Sequence, residues 1–213
     1  MGCQNLIQPI ANPDNPTGTY VSEQEVKAFM KRIPDRVVVF FDEAYFEYAT
    51  ERDFPKTLQY LKSRKVIIAR TFSKAYGLAG LRVGYGMSNP AIIDILNRVR
   101  EPFNVNSLAQ IGAQAALDDQ AHVERSRKFT KKQKEYLYRE LDKLGISHKK
   151  SATNFILIDL KTDATVVYEK LLKKGVIVRD MDAWGLETCI RVTIGREREN
   201  KRFVRELERA LRE

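Results

Sequence analysis

The stretch Arg36-Val-Val-Val-Phe-Phe-Asp-Glu-Ala-Tyr45 decides the fold of this chain. Residues 37–41 form an unbroken apolar run, far too short to cross a bilayer and without the alternation of a half-exposed strand. That pattern predicts a parallel strand covered on both faces. Two acids follow it at once, at the strand end where open α/β sheets collect ligand-binding groups. Upstream, Ser22 and Glu25 make a capping box before Val26, Phe29, Met30 and Ile33, which share one helical face until Pro34 stops it. Downstream, residues 65–69 and 82–86 read as two more strands. Asn89-Pro90 then opens a helix carrying Ile92, Ile93, Leu96 and Val99, with Pro at a first-turn position where its missing N–H is harmless. Strands alternating with helices argue for crossover units and a mostly parallel sheet, an α/β architecture.

The rest of the chain changes character. Residues 107–144 are almost entirely helix-forming, with a break at Asp118-Asp119 that marks the expected domain boundary. Domains of 1–118 and 119–213 follow. Beyond the long helix, residues 154–160, 176–179 and 189–194 read as strands, while 164–174, closed by Gly175, and 197–212 read as helices. This is a small C-terminal α+β domain.

With 213 residues, 43% of them apolar and 9% aromatic, the chain can bury a core, which excludes disordered and collagen-like classes. Its 37 basic against 28 acidic side chains give a net charge of +9, which raises nucleic acid as a partner. The first domain holds 14 basic and 12 acidic residues and the second 23 and 16. Much of that excess lies on helix 121–144, where Arg127, Lys128, Lys131, Lys132 and Lys134 alternate with Glu124, Glu135 and Glu140. A solvated helix face accounts for it, and no nucleic-acid motif accompanies it. Cys3 and Cys189 form no CxxC, and His122 and His148 have no ligand-spaced partner, so no metal site is expected. The N-terminus lacks a basic region followed by an apolar stretch, and a cytoplasmic, reducing setting without membrane contact is the expectation.

Three loops carry the chemistry: Asn12-Pro-Asp-Asn-Pro-Thr-Gly18, Asp42-Glu-Ala-Tyr45 and Thr71-Phe-Ser-Lys-Ala-Tyr-Gly-Leu-Ala-Gly-Leu-Arg82. Singly they read as a Pro/Asn/Gly turn, a helix N-terminus and a Gly-rich connection. Together they supply what an aldehyde cofactor with a phosphate and a pyridine ring needs. A Lys can form a Schiff base, an Asp can pair with the ring nitrogen, and hydroxyls with an Arg eight residues further on can hold a phosphate. Gly77, Gly80, Gly84 and Gly86 match neither a dinucleotide fingerprint nor a P-loop.

The run Arg70-Thr-Phe-Ser-Lys-Ala-Tyr-Gly-Leu-Ala-Gly-Leu-Arg-Val-Gly-Tyr-Gly86, followed by Arg100-Glu-Pro-Phe-Asn-Val-Asn106, resembles the class I/II aminotransferases that use pyridoxal 5'-phosphate. Within them it looks most like the histidinol-phosphate aminotransferase branch, over a span from about Asn12 to the C-terminus. The resemblance implies an aspartate-aminotransferase-like fold (PLP fold type I), with 1–118 as part of the cofactor-binding large domain. It implies Lys74 as the Schiff-base lysine and proton shuttle, and Asp42 as the partner that keeps the ring nitrogen protonated. Asn15 and Tyr45 are implied at the ring's phenolic oxygen, with a cis bond at Asn15-Pro16, and Thr71, Ser73 and Arg82 at the phosphate. Arg191 is implied at the substrate α-carboxylate, Arg179 at the substrate phosphate, and Asn154 near the substrate. Alternation of Ile190, Val192 and Ile194 with Arg191 also turns that Arg away from the apolar face of its strand. Tyr20, Tyr48 and Trp184 read as packing residues.

The implied reaction is amino-group transfer from L-histidinol phosphate to 2-oxoglutarate, in a homodimer. Members of the family are considerably longer, and residues 3–10 are more polar than a buried strand. A piece that needs an N-terminal half to act is therefore a second expectation, and another class I/II aminotransferase a third. A basic nucleic-acid module on 119–213 is a remote fourth.

Overall fold

Strand β1 (Ile7–Ala11) lies parallel to β2 (Val38–Asp42), β2 lies parallel to β3 (Val66–Thr71), and β4 (Gly84–Met87) pairs antiparallel with β3. These assignments come from a computed structural model that describes residues 7–62 and 65–212. Cys3 and the start of the 3–10 segment lie outside them. Two compact units make up the chain: one gathers Met1–Asp14 and Tyr20–Ser126, the other Asn15–Thr19 and Arg127–Glu213.

In the first unit, α1 (Glu23–Arg32) starts at the expected capping box. Ser22 Oγ accepts the Glu25 N–H at 3.4 Å, and Glu25 Oε2 accepts the Ser22 N–H at 2.8 Å. The helix ends at Ile33, whose backbone is extended, as a residue before proline prefers. Val26 and Met30 on its inner face pack with Val39, Phe41, Val66 and Ile68. Only one face of β2 is covered in this way; Val38 and Phe40 are half-buried. The expected two-sided burial is thus corrected: the second face of β2 borders a cavity instead of a helix. β1 is mostly exposed at the sheet edge and includes Pro9, a residue that edge strands tolerate because no inner neighbour needs its missing donor.

Next come α2 (Pro90–Val99), whose Asn89 cap accepts the Ile92 N–H at 3.0 Å, and α3 (Ser107–Asp118), whose Asn106 cap accepts the Ala109 N–H at 2.8 Å. No side chain of α2 is buried, and Val99, Phe103, Leu108 and Ile111 are widely exposed.

Helix α4 (Gln120–Lys143) begins after Asp119, and the division between units falls within it, after Ser126. The second unit continues with β5 (Ser147–His148), β6 (Phe155–Asp159), α5 (Ala164–Lys173), β7 (Arg179–Asp180), β8 (Cys189–Thr193) and α6 (Glu197–Arg212). Its sheet runs β5-β6-β8-β7, antiparallel throughout. Leu137, Leu141, Ile156, Ile158, Leu171, Ile190 and Leu207 are completely buried in its core, each such side chain contributing about 1.5–3 kcal/mol.

Two sequence expectations need correcting here. Residues 176–179 do not form one strand: only Arg179–Asp180 pairs with β8, while Val176 and Val178 are buried in the core. Lys134 does not belong to a solvated face, because it is buried and donates to the Ser151 carbonyl at 2.5 Å. No helix among the described residues is long and apolar enough to cross a membrane.

Candidate active site

The sheet of the first unit sorts its side chains by strand alternation. Val39, Phe41 and Glu43 are buried on the α1 side, while Phe40, Asp42 and Ala44 line a cavity of about 370 Å³. On β3, Val66 and Ile68 face the core, and Ala69, Arg70 and Thr71 line the same cavity. The parallel register sets Asp42 opposite Ala69, so the two strands release their carboxyl-end loops side by side.

The loop after β3 then closes back on itself. The Phe72 N–H donates to Val83 O at 3.2 Å, the Leu78 N–H to Phe72 O at 2.9 Å and the Gly77 N–H to Lys74 O at 3.0 Å. Phe72 and Ala75 are buried, and Phe72 packs on the rings of Tyr76 and Tyr85. Lys74 therefore sits between two anchored neighbours, with its Nζ 5.1 Å from the centroid of the buried Tyr45 ring. The Thr71 hydroxyl accepts the Ser73 N–H at 3.1 Å, and both residues border the cavity with Lys74 and Arg82. Arg82 holds a left-handed backbone (φ 53°) and donates from Nη1 to Ala79 O at 2.8 Å. A non-glycine residue in that conformation is strained, and such strain concentrates at working sites.

Asp42, Tyr45, Thr71, Ser73, Lys74 and Arg82 thus belong to one site in one unit. The other named residues belong to the second unit and group there. Arg191 on β8 stands directly opposite Arg179 on β7. Two like charges at paired positions repel, and neither Arg makes an ion pair with the other described residues. Each instead lies near an aromatic ring: Arg191 Cζ is 5.0 Å from the Phe155 centroid, and Arg179 Cζ is 5.5 Å from that of Trp184. Arg191 Nη1 also donates to Asn15 Oδ1. Asn154 leads into β6, where its carbonyl accepts the Ile194 N–H at 2.8 Å. Two guanidinium groups set together without a carboxylate partner suit an anionic ligand. Gly18 closes the 15–19 segment onto this unit: its φ is +74°, its carbonyl accepts the Ala152 N–H at 2.8 Å, and a Cβ there would overlap Ser151.

The cis peptide bond falls at Asn12-Pro13, not at Asn15-Pro16 as the resemblance implied. Sequence reading also passed over Asn12 itself. Its buried side chain donates to Val21 O at 3.1 Å and accepts the Val21 N–H at 2.8 Å, and its own N–H donates to Asp42 O at 2.9 Å. Glu43 and Arg70 were missed as well. The buried Glu43 Oε2 lies 2.9 Å from Arg70 Nε and 2.8 Å from Nη2, while Thr57 Oγ1 donates to Glu43 Oε1. Burial pushes the Glu43 carboxyl above its ordinary value, opposed by the Thr57 hydrogen bond and the Arg70 charge.

A family profile described as aminotransferase class I and II matches residues 8–207. The chain is 50% identical over 204 residues to a histidinol-phosphate aminotransferase of Moorella thermoacetica, covering 95% of this chain and 53% of that protein. It is 49% identical over 211 residues to histidinol-phosphate aminotransferase 1 of Nitrosococcus oceani, covering 99% and 57%. The crystal structure of histidinol-phosphate aminotransferase from Sinorhizobium meliloti in complex with pyridoxal-5'-phosphate superposes with a TM-score of 0.89 at 32% identity, covering 97% of this chain and 57% of that one. The chain spans about half the length of the curated relatives it matches.

Proposed function

Since this chain belongs to the class I and II aminotransferase family, we propose that it serves pyridoxal 5'-phosphate-dependent transamination, with L-histidinol phosphate as amino donor and 2-oxoglutarate as acceptor. The observation that carries the proposal is the cavity shared by Asp42, Thr71, Ser73, Lys74 and Arg82. Its side chains suit the cofactor's ring nitrogen, aldehyde and phosphate, and its volume of about 370 Å³ lies within the range of small-ligand sites. When bound, the cofactor supplies an aldehyde that takes up an amino group and a ring that accepts the electron pair of the substrate carbon.

The residues divide that work. Asp42, facing the cavity from the end of β2, is placed to accept a hydrogen bond from the ring nitrogen and keep it protonated. Thr71, Ser73 and Arg82 offer two hydroxyls and a guanidinium fork to the phosphate. Lys74 would hold the cofactor through its Nζ, and the same amine would accept and return the proton at the substrate α-carbon. Tyr45, across from Lys74, orients the ring through its hydroxyl. In the second unit, Arg191 is assigned to the α-carboxylate of 2-oxoglutarate, Arg179 to the donor's phosphate, Asn154 to the substrate's surroundings and Asn15 to the ring's phenolic oxygen. The Asn15 contact with Arg191 supports a link between the groups that hold cofactor and substrate.

Assembly with another polypeptide, a second copy in the first instance, belongs to this reading. The exposed apolar side chains of α2 and α3 support it, because an uncovered patch of this kind marks a contact surface. A cytoplasmic setting is also proposed.

The test is a visible absorbance spectrum of the chain with added pyridoxal 5'-phosphate, before and after borohydride reduction, in the parent and in Lys74→Ala. A reducible chromophore is expected in the parent and not in the variant. Equal labelling of both removes Lys74 from the site, and transamination of other amino donors in preference to histidinol phosphate rejects the substrate assignment.

A further inference from the structure

We propose that Glu43, Arg70 and Thr57 form a positioning clamp at the wall of the Lys74 cavity, which Arg70 itself borders, fixing the Asp42 turn to the Lys74 loop; the inference rests on the function proposed above. Strand alternation turns Asp42 to the cavity and Glu43 to the opposite side, where Glu43 is 1% exposed. There its two carboxylate oxygens are held from two different elements. Arg70, at the end of β3 and four residues before Lys74, approaches Oε2 with two nitrogens. Thr57, in the 3₁₀ turn Thr57–Tyr60, donates to Oε1.

Arg70 also lies 3.4 Å from the centroid of Phe46, the residue after Tyr45. The Glu43 N–H donates to Ala69 O at 2.9 Å, extending the β2–β3 ladder past Asp42. The Arg70 contacts and the Glu43 N–H thus tie the segment bearing Asp42 and Tyr45 to the segment bearing Thr71, Ser73 and Lys74, while Thr57 anchors Glu43 to the 57–60 turn. A buried ion pair is weak evidence for stability, since apolar residues of similar volume fill such a space at least as well. What it adds is direction, because a forked guanidinium on a carboxylate fixes the separation and the angle of the two strand ends.

Two variants of the 213-residue chain test this: Glu43→Gln, and the paired replacement Glu43→Leu with Arg70→Met, which removes both charges together. The first measurement needs no cofactor. The Ala44 N–H donates to Asp42 Oδ1 at 3.1 Å, so its hydrogen exchange reports how firmly Asp42 is held. Exchange at Glu43 and Ala44 is expected to quicken about tenfold in both variants, as local opening becomes easier, with the amides of β6 and β8 unchanged. The second is the affinity for pyridoxal 5'-phosphate, expected to weaken about tenfold, the equivalent of one charge-assisted hydrogen bond.

Exchange at the parent rate in a folded variant overturns the clamp. Faster exchange with undiminished affinity overturns its positioning role. A parent chain that takes up no cofactor counts against the proposed function, and the exchange data still decide the clamp. If Glu43→Gln does not fold, the paired variant decides by the same criteria.

Discussion

Gly84 offers a sharp perturbation, because the structure sets its cost and supplies its control. A Cβ built there lies 2.7 Å from the Arg70 carbonyl oxygen and 3.5 Å from Thr71 Cα, both backbone atoms of the neighbouring strand. Carbon and carbonyl oxygen approach to about 3.3 Å between strands, so Gly84→Ala must open the β3–β4 ladder by roughly 0.6 Å. Overpacking of this kind costs about 1–3 kcal/mol, offset by about 0.4–1 kcal/mol from the lower entropy of the unfolded alanine chain. The net loss is about 1–2 kcal/mol, which at a urea dependence of about 1–3 kcal/mol per molar moves the midpoint by roughly 1 M. Gly80 is the control: a Cβ there meets nothing within 4 Å, so Gly80→Ala should be neutral or slightly stabilising. Urea-dependent hydrogen exchange in β2 and β3 reads the first unit. Fluorescence of Trp184, the chain's one tryptophan, reads the second and should not move. Since Thr71 faces Gly84 in the ladder, the strained variant should also bind pyridoxal 5'-phosphate more weakly. An unshifted midpoint in Gly84→Ala, or an equal loss in Gly80→Ala, would refute the reasoning.

Arg191→Lys keeps the charge but loses the planar fork, the stacking near Phe155 and the bond to Asn15. KM for 2-oxoglutarate, the carboxylate substrate of the proposed pair, should rise about tenfold or more, with kcat less affected, in steady-state transamination; an unchanged KM removes Arg191 from carboxylate binding. Tyr20 donates to Asp53 Oδ1 at 2.7 Å, and that bond, with some burial, pushes the phenol up to about 12 from an ordinary value of 10.0. A raised pKa in the folded state stabilises fully below the unfolded value, so this contribution is lost as pH climbs from about 10 to about 12. Tyr20→Phe should flatten that part of the stability profile, measured as the urea midpoint against pH; a profile identical to the parent's excludes the Asp53 bond as its cause. Leu137→Ala in the second unit should cost about 2–5 kcal/mol as a core truncation, read by Trp184 fluorescence in urea while exchange in β2 and β3 stays as in the parent.

What the sequence disclosed and what it hid follow from the range over which each signal acts. The capping box at Ser22 and Glu25, the stop at Pro34 and the Asn89-Pro90 start are local chemistry, and the structure keeps all three. The Asp42, Lys74 and Arg82 grouping was legible because strand ends and loop order are encoded in the chain. Two-sided burial of β2 was not, since an apolar run reports only that its residues avoid water, not that each face finds a cover. The two Asn-Pro pairs, at 12–13 and 15–16, are locally alike, so only the surrounding fold distinguishes the cis one.

Lys134 shows what a stricter reading of periodicity recovers. Thr130, Gln133, Lys134, Leu137 and Leu141 are all buried, and their spacings of three and four residues trace one face of α4. A count of charges along this basic helix hides that stripe, whereas registering each charge against the leucines exposes it. The same correction applies past the end of β2. Continuing the alternation of Val39 and Phe41 by one more step places Glu43 in the core and Asp42 in the cavity, although the two acids look equivalent as a pair at a helix start. Their division of labour is therefore a consequence of strand geometry: the acid that faces the cavity is free to meet a ligand, and the one that faces inward must find a cation, which Arg70 supplies.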